Sequence, residues 1–503
     1  MKKNFAHFTS RLALAAAAAM ALPAATFTTL QSFDVTDGAN PGAGLVQVSN
    51  GYLYGTAPYG GAHSGGTVFK ITPGGALTTV YSFCSLANCT DGKVPFAGLV
   101  QATNGYLYGT AVAGGANGYG TVFKITPSGT LTTLYSFCSL ANCADGEYPY
   151  ASLVQATNGD LYGTTTAGGP GCSTDSRNHY GPAGGGGCSG TVFKITPGGV
   201  LTTLYNFCSL TDCADGQDPY AGLVQAANGD LYGTTLYGGA NNSGAGTIFK
   251  ITPTGAFTTV YSFCAVTGCP DGQVPQAGLI QATNGYLYGT TLYGGANCGP
   301  LGCGTVFKIT PGGTLTTLYS FCAETGCSDG GIPAAGLVQA TNGDLYGTTY
   351  QGGANCSTPG CGTLFEITPS GALTTLYTFC AQPACADGDY PTGALAQDTN
   401  GKLYGTAYFG GASGDGAVFS VSAGLGPFVK TLPTTGVVGE AVTILGSDFT
   451  GATKVTFNGV AVAFTIGSAF KISTTVPTGA TTGEVQVTTP LGTFSSNVPF
   501  RVL

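Results

Sequence analysis

The chain has no tryptophan and only three histidines among 503 residues. Without indole the strongest sugar-stacking ring is missing, and tyrosine is left to take that part. So few histidines give no metal-binding His pair and no Ser-His-Asp pattern, and no phosphate-cradling glycine loop accompanies them. Charged residues make up only 8% of the chain, so solubility leans on Thr, Ser, Asn and backbone. The formal net charge of −8 is the reverse of a basic nucleic-acid footprint. Beyond the first 25 residues no apolar run is long enough for a membrane-spanning helix. Helical periodicity is absent as well.

What is present begins with an export-like segment. Lys2, Lys3 and Arg11 precede the short apolar run Leu12–Ala25, and small residues follow. The pattern predicts a signal peptide over residues 1–25, cleaved near Ala24 or Ala25. Its removal makes the mature chain more acidic still.

Eighteen cysteines fall into nine close pairs. Six share a C-x4-C spacing after a Phe: Cys84/Cys89, Cys138/Cys143, Cys208/Cys213, Cys264/Cys269, Cys322/Cys327 and Cys380/Cys385. Three more occupy a different loop: Cys172/Cys188, Cys298/Cys303 and Cys356/Cys361. Both members of a pair are present or both are missing, as in the first copy, "QSFDVTDG". In an exported protein this all-or-none pattern points to disulfides. Zinc is the rival, but it favours C-x2-C pairs in fours and often recruits His. Closing so short a loop stabilises by only about 2 kcal/mol, so the bridges pin loops more than they hold the fold.

The string "LVQATNGYLYGT" (Leu99–Thr110) and its near-copies make seven occurrences. The Tyr of its last tetrad stands at positions 54, 108, 162, 232, 288, 346 and 404. Each unit holds four short strand-like segments, for which the second copy serves as the example. "GLVQ" (Gly98–Gln101) runs into an Asn-Gly hairpin, which this reading takes as a turn with φ > 0 at both central residues. "YLYGT", "TVFKIT" (Thr121–Thr126) and "LTTLYSF" (Leu131–Phe137) follow. The last reads as a clean alternation with Leu131, Thr133, Tyr135 and Phe137 on one face. Four strands per unit of about fifty residues indicate a β-propeller blade. The leading glycines Gly44, Gly98, Gly222, Gly278 and Gly336 place "GLVQ" innermost, near a crowded axis. The opening "FTTLQSF" (Phe27–Phe33) is an outermost strand without a blade, and the last copy, ending at Val421, lacks one. The expectation is an all-β chain: a seven-bladed propeller over residues 26–424 whose N-terminal strand closes the last blade.

"GLVQATNGYLYGT", "GTVFKITPSGTLTTLYSF" and their copies resemble the GloVer tandem repeat of secreted and surface-associated bacterial proteins. More distantly, the order of segments is similar to NHL-type blades. The GloVer resemblance implies an extracytoplasmic location and no defined activity. After Val421 the repeat stops and cysteine disappears. Gly446, Phe449, "FNG" (Phe457–Gly459), "VPTGATTG" (Val476–Gly483) and "TPLGT" (Thr489–Thr493) resemble an IPT/TIG immunoglobulin-like domain. That resemblance covers residues 426–503 and implies a β-sandwich used as a spacer or binding module.

In a propeller the loops between the second and third strands share one face with the connections between blades, and here those loops carry all the irregularity. Both cysteine sets belong to that face, with Phe96, Tyr148, Tyr150, Tyr220, Tyr237, Tyr293 and Tyr350. Variable loops on a rigid scaffold are the default place for binding. The longest, Thr165–Gly190, gathers Asp175, Arg177, His179 and Tyr180 and is a candidate recognition finger. An Asp-Gly recurs in every unit (Asp37, Asp91, Asp145, Asp215, Asp271, Asp329, Asp387). One recurring acid per loop is too few for Ca²⁺, so each Asp is read as capping its own turn. The recurring Gln (Gln47, Gln101, Gln155, Gln225, Gln281, Gln339, Gln397) is read as satisfying inner-strand backbone. Glu147, Asp218, Glu324 and Asp389 lie on the irregular face without the pairing that glycoside hydrolysis requires.

The sequence therefore points to an exported, non-enzymatic binding or adhesion propeller, with an extracellular glycan or protein as partner. No catalytic residue, metal, cofactor or nucleic-acid partner is assigned. An extracellular polysaccharide lyase or hydrolase and a structural cell-envelope component are the alternatives.

Overall fold

In the computed structural model of the protein, the residues described are 25–170, 189–241, 244–297, 302–355 and 361–503. Seven four-stranded antiparallel sheets follow one another along the chain. Blade 2 shows the pattern, with strands Val100–Gln101, Leu107–Ala111, Thr121–Ile125 and Leu131–Ser136 hydrogen-bonded in chain order. Only two residues of "GLVQ" form ladder, because the strand nearest the axis has little room.

The seventh sheet is built as expected. Thr26–Ser32 pairs antiparallel with Ala417–Ser422, with Phe27 opposite Val421. The ring closes through side chains too. Leu53, Phe69 and Ile71 of blade 1 pack with Phe33, Tyr404 and Val418 of blade 7. The same cluster recurs between every neighbouring pair. Tyr54, Val68 and Phe83 of blade 1 meet Leu99, Leu107, Phe123 and Ile125 of blade 2. A thin sheet thus buries both faces only because a neighbour covers each.

Two polar rings accompany the apolar one. Each recurring Gln accepts a backbone N–H from the turn of the preceding blade, as Gln101 does from Ser49 and Gln225 from Thr157. The series closes where Thr399 N–H donates to Gln47. The Thr of each "LYGT" donates to a carbonyl of the following blade, from Thr56 to Ala97 around to Thr406 to Ala43. The Gln residues therefore do more than satisfy their own strand: they join blades.

Two local expectations are corrected. The Asn-Gly hairpin has φ > 0 only at the glycine, +86° at Gly105. Gly105 N–H donates to Ala102 O and Ala102 N–H to Tyr106 O, which makes a three-residue loop. Asn104 keeps ordinary φ because its side chain has two partners: Oδ1 accepts from Tyr106 N–H and Nδ2 donates to Tyr108 OH. The outer strand does not alternate cleanly either. Thr133 faces Phe123 but Tyr135 faces Val122, with a bulge between. Leu131 therefore packs back toward blade 1, while Leu134, Tyr135 and Phe137 pack forward toward blade 3. An outer strand must feed two interfaces, and the extra residue rotates it between them.

The C-terminal strands form two further four-stranded sheets and one two-stranded pairing. Their core is Val442, Ile444, Phe449, Val455, Phe457, Ile472, Val485, Val487 and Phe500. This Ig-like sandwich rests on the propeller face that carries the Asn-Gly turns. Phe428 N–H donates to Thr399 O at 3.0 Å, and the Thr399 and Ser447 hydroxyls lie 3.3 Å apart. Arg501 donates to Ala227 O at 2.7 Å. A Cβ placed on Gly51 would lie 2.7 Å from the Phe470 ring.

Candidate functional site: an aromatic arc on the loop face

Each blade is entered through a residue and a proline. All seven residues before that proline, Asn40, Val94, Tyr148, Asp218, Val274, Ile332 and Tyr390, have φ between +51° and +58°. Left-handed backbone is costly at Val and Ile. Paired backbone hydrogen bonds hold it, such as Val94 N–H to Gly65 O and Val112 N–H to Val94 O. This repeated bend precedes the residue after each proline: Gly42, Phe96, Tyr150, Tyr220, Gln276, Ala334 and Thr392.

Three of those residues are aromatic and consecutive. Tyr220 stacks on Tyr150 at 4.9 Å, and Tyr150 meets Phe96 edge-on at 5.8 Å. Phe96 continues to Tyr408 of blade 7 at 6.4 Å. Gly42 permits this passage, because a Cβ there would lie 3.3 Å from the Tyr408 ring. From Tyr408 the chain of rings runs to Phe409 at 4.8 Å, Tyr390 at 5.9 Å and Tyr350 at 4.4 Å. Seven rings from five blades thus form one continuous arc. Six are partly exposed and Phe409 is 41% exposed, so the arc presents ring surface to solvent.

Of the candidate residues, Tyr150, Tyr220 and Tyr350 are in this arc, as is Phe96. Tyr148 instead pairs with Tyr119 at 5.8 Å. Tyr237 and Tyr293 stand one position further along their loops than Tyr350, in backbone bridges with Gln217 and Gln273. Asp175, Arg177, His179 and Tyr180 lie outside the described residues. Tyr390, Tyr408 and Phe409 were missed. Aligning the units would have found two of them, since Tyr390 shares a column with Tyr148 and Tyr408 with Tyr350.

The rim of this face is braced by sulfur and carboxylate. The C-x4-C pairs are bridged as expected: Cys84–Cys89, Cys138–Cys143, Cys208–Cys213, Cys264–Cys269, Cys322–Cys327 and Cys380–Cys385. Cys89, Cys213 and Cys269 also contribute through their backbone. Their backbone is left-handed, with φ of +53°, +51° and +49°. That bend lets each carbonyl accept two N–H groups, one from the glycine of its own loop and one from a loop of the next blade. Cys89 O accepts from Gly92 and Gly115, Cys213 O from Gly216 and Gly239, and Cys269 O from Gly272 and Gly295. The glycine pairs of the facing loops leave room for this approach, since a Cβ on Gly114 or Gly238 would lie 2.6 Å from the Cys89 or Cys213 oxygen. The same is true of Gly294 against Cys269, at 2.7 Å. Each bridge thus holds a bend that ties one blade to the loop of the following one.

Cys303 and Cys361 are also disulfide-bonded, while Cys298, Cys356, Cys172 and Cys188 lie outside the described residues. Cys303, Cys322 and Cys327 bring their sulfurs within 4.8 Å of one another. All three are oxidised, and no free cysteine occurs among the described residues, so the cluster offers no thiolate to zinc. In the six cysteine-bearing units the Asp of the Asp-Gly does not cap its own turn. Asp91 accepts from Ser85 N–H and Oγ–H, Tyr81 O–H and Leu86 N–H, tying the disulfide loop to the outer strand. The Tyr–Asp bond recurs in all six cysteine-bearing units, and burial with the carboxylate pushes the Tyr135 hydroxyl up to about 12. In the first copy, which lacks cysteines, Asp34 N–H donates to Asp37 instead.

Three other acids of this face are shifted upward by burial: Glu147, Asp389 to about 6 and Asp218 to about 7. The Glu147 carboxylate sits within 4.8 Å of the Cys138 and Cys143 sulfurs, which places it at the rim. Glu147, Asp218 and Asp389 stand at the entrances of three different blades. No two of them are joined by a hydrogen bond among the described residues.

The repeat that sets this geometry matches one family model over residues 19–176, 172–301 and 266–464. The chain belongs to the Gloeobacter/Verrucomicrobia repeat family. In this member of the family, residues 428–502 match the IPT/TIG domain. No curated protein matches the chain. Among solved structures this repeat protein is similar to a putative gluconolactonase, at 12% identity over 80% of this chain and 93% of that one, with a TM-score of 0.40. An auxiliary nutrient binding protein from Bacteroides thetaiotaomicron matches at 13% identity over 79% and 76%, TM-score 0.40. The plexin A4 extracellular region matches at 9% over 92% and 60%, TM-score 0.42. None of these likenesses is close enough to carry a residue role across. The disulfides point to an oxidising compartment, and no helix of the described residues is long and apolar enough to cross a membrane.

Proposed function

We propose that this protein is an exported, non-catalytic binding protein whose aromatic arc docks an extracellular glycan. The observation that carries the reading is the continuity of the arc from Tyr220 to Tyr350. Flat sugar faces stack on Tyr and Phe, and hydroxyls at the ring edges orient them. Disulfide-braced loops hold the rings in place before the ligand arrives, which lowers the cost of ordering them on binding. Export follows from the basic and apolar character of residues 1–25. The reading calls for no metal or cofactor. A lyase or hydrolase would need cooperating carboxylates, whereas Glu147 lies against a disulfide and the other shifted acids occupy separate blades.

The test is retention of the purified protein in native gels containing a panel of neutral, amino and acidic polysaccharides. At least one polysaccharide should retard the wild type. Tyr150→Ala and Tyr220→Ala should each weaken that binding about fivefold or more, in proportion to a lost stacking contact of about 1–3 kcal/mol. Retardation unchanged by both substitutions overturns the role of the arc. Polysaccharide turnover abolished by Asp389→Asn or Glu147→Gln would establish the enzymatic reading instead. A protein that binds nothing in the panel, and nothing in a companion protein array, would favour a structural role in the envelope.

A further inference from the structure

The turn that follows the inner strand reads Ala-Thr-Asn-Gly in blades 2, 3, 5 and 6, beginning at Ala102, Ala156, Ala282 and Ala340. Three turns depart from it: Val48-Ser49 in blade 1, Ala226-Ala227 in blade 4 and Asp398-Thr399 in blade 7. All three of these turns touch the Ig-like domain, at Gly51, Ala227 and Thr399. In a ring of seven, blade 4 stands opposite the junction of blades 7 and 1. A body held at all three lies across the mouth of the central channel.

The sharpest departure is Asp398. Its column is Val or Ala in the other six blades and is buried in each. Asp398 is itself 2% exposed, and its Oδ1 finds no hydrogen-bond partner among the described residues. Beside it is the half-buried Lys430 of the Ig-like domain, near enough for the two charges to act on each other but farther from the carboxylate than a direct ion pair of 4.0 Å. Its ammonium donates to Gln397 O and lies 5.3 Å from the Phe428 ring. An acid placed where the repeat wants a methyl group costs the propeller stability. It makes sense only as a counter-charge for something that docks there.

We propose that Asp398 and Lys430 form an interdomain clasp that fixes the Ig-like domain as a cap over the turn-side mouth of the channel. The propeller is then a blind well, open only at the aromatic face. Burial drives Lys430 down to about 8 and Asp398 upward, and each charge opposes the shift of the other. Removing either partner strands the other in a dry site, whereas removing both does not.

The experiment is limited proteolysis of the linker Ser422–Pro427 together with small-angle scattering of the full chain. Asp398→Ala installs the residue found at this position in five other blades, so the propeller itself should fold, which its melting curve checks. The clasp predicts linker cleavage on the order of a hundredfold faster and a larger radius of gyration for Asp398→Ala and for Lys430→Met. The double variant Asp398→Ala/Lys430→Met should return both readouts most of the way to wild type. Ala227→Thr, which restores the repeat residue under Arg501, should loosen the opposite side in the same assays. Wild-type compactness in both single variants, or a double variant as loose as either, would overturn the clasp. The outcome is independent of glycan binding, which neither readout uses.

Discussion

Ring closure can be tested at a single side chain that has a built-in control. Phe27 stacks on Tyr377 at 3.9 Å, meets Phe379 edge-on at 5.6 Å and lies 5.2 Å from Phe419. Phe257 of blade 4 repeats this environment, stacking on Tyr205 at 3.7 Å beside Phe207 at 5.7 Å and Phe249 at 5.5 Å. One ring sits on a strand continuous with its blade; the other arrives from the far end of the chain. Truncating a fully buried Phe costs about 3–5 kcal/mol. Both of these are partly exposed, so about 2–3 kcal/mol is expected for each, including about 1 kcal/mol from the stacked pair. Urea melts of Phe27→Ala and Phe257→Ala should shift by similar amounts. Hydrogen exchange should separate them. Only Phe27→Ala should speed exchange of Ala417–Ser422, because loss of its anchor lets the closing strand detach while blades 1 to 6 stay packed. Unchanged exchange in that strand, or a Phe27→Ala variant as stable as wild type, would refute closure by the N-terminal strand.

Asp145→Ala removes the acceptor of four hydrogen bonds at one disulfide loop. It should make Cys138–Cys143 the first bridge reduced by mild thiol, read by mass mapping of trapped cysteines. Gln225→Ala should cost about 1 kcal/mol, and combination with Gln339→Ala should be close to additive, since the two sites share no partner. Asp218 gives a pH signature. Its folded value is raised from 3.8 to about 7 by burial, so its contribution to stability is fully present below pH 3.8 and is lost as pH rises through 7. Asp218→Asn should therefore raise the melting temperature at pH 8 by a few degrees, about 1–2 kcal/mol, and leave it unchanged near pH 3.5. An equal gain at both values would show that the carboxyl charge is not responsible.

The propeller was legible because its physics is periodic. Seven copies of Tyr in "LYGT" can all be buried only if every sheet has two neighbours, and the orphan segments at Phe27 and Val421 left one way to complete the count. What the sequence hid is where a residue serves two masters. The outer strand looks like simple alternation until the bulge at Leu134 divides it between blades. The Asp of Asp-Gly looks like a turn residue, but its partners lie five and six positions upstream and across the loop. Cys89 pairs visibly with Cys84, yet nothing in the C-x4-C spacing announces that its carbonyl reaches Gly115 of the next blade. The arc was half visible. Tyr150, Tyr220 and Tyr350 stood out as aromatic, whereas Tyr408 reaches Phe96 only because Gly42 leaves space, a relation between residues over 300 positions apart. The seat of the Ig-like domain was written in three altered turns, whose meaning depends on knowing which blades face one another.

The short spacing of the bridges bears on how the protein matures. Each C-x4-C pair spans a sequence separation of 5, while the next such pair lies about fifty residues further on. Encounter of two thiols in an unfolded chain falls as roughly the three-halves power of their separation, which favours the correct partner by roughly thirtyfold over the nearest C-x4-C competitor. A thiol oxidase acting on these pairs as they emerge should therefore leave little for a disulfide isomerase to repair.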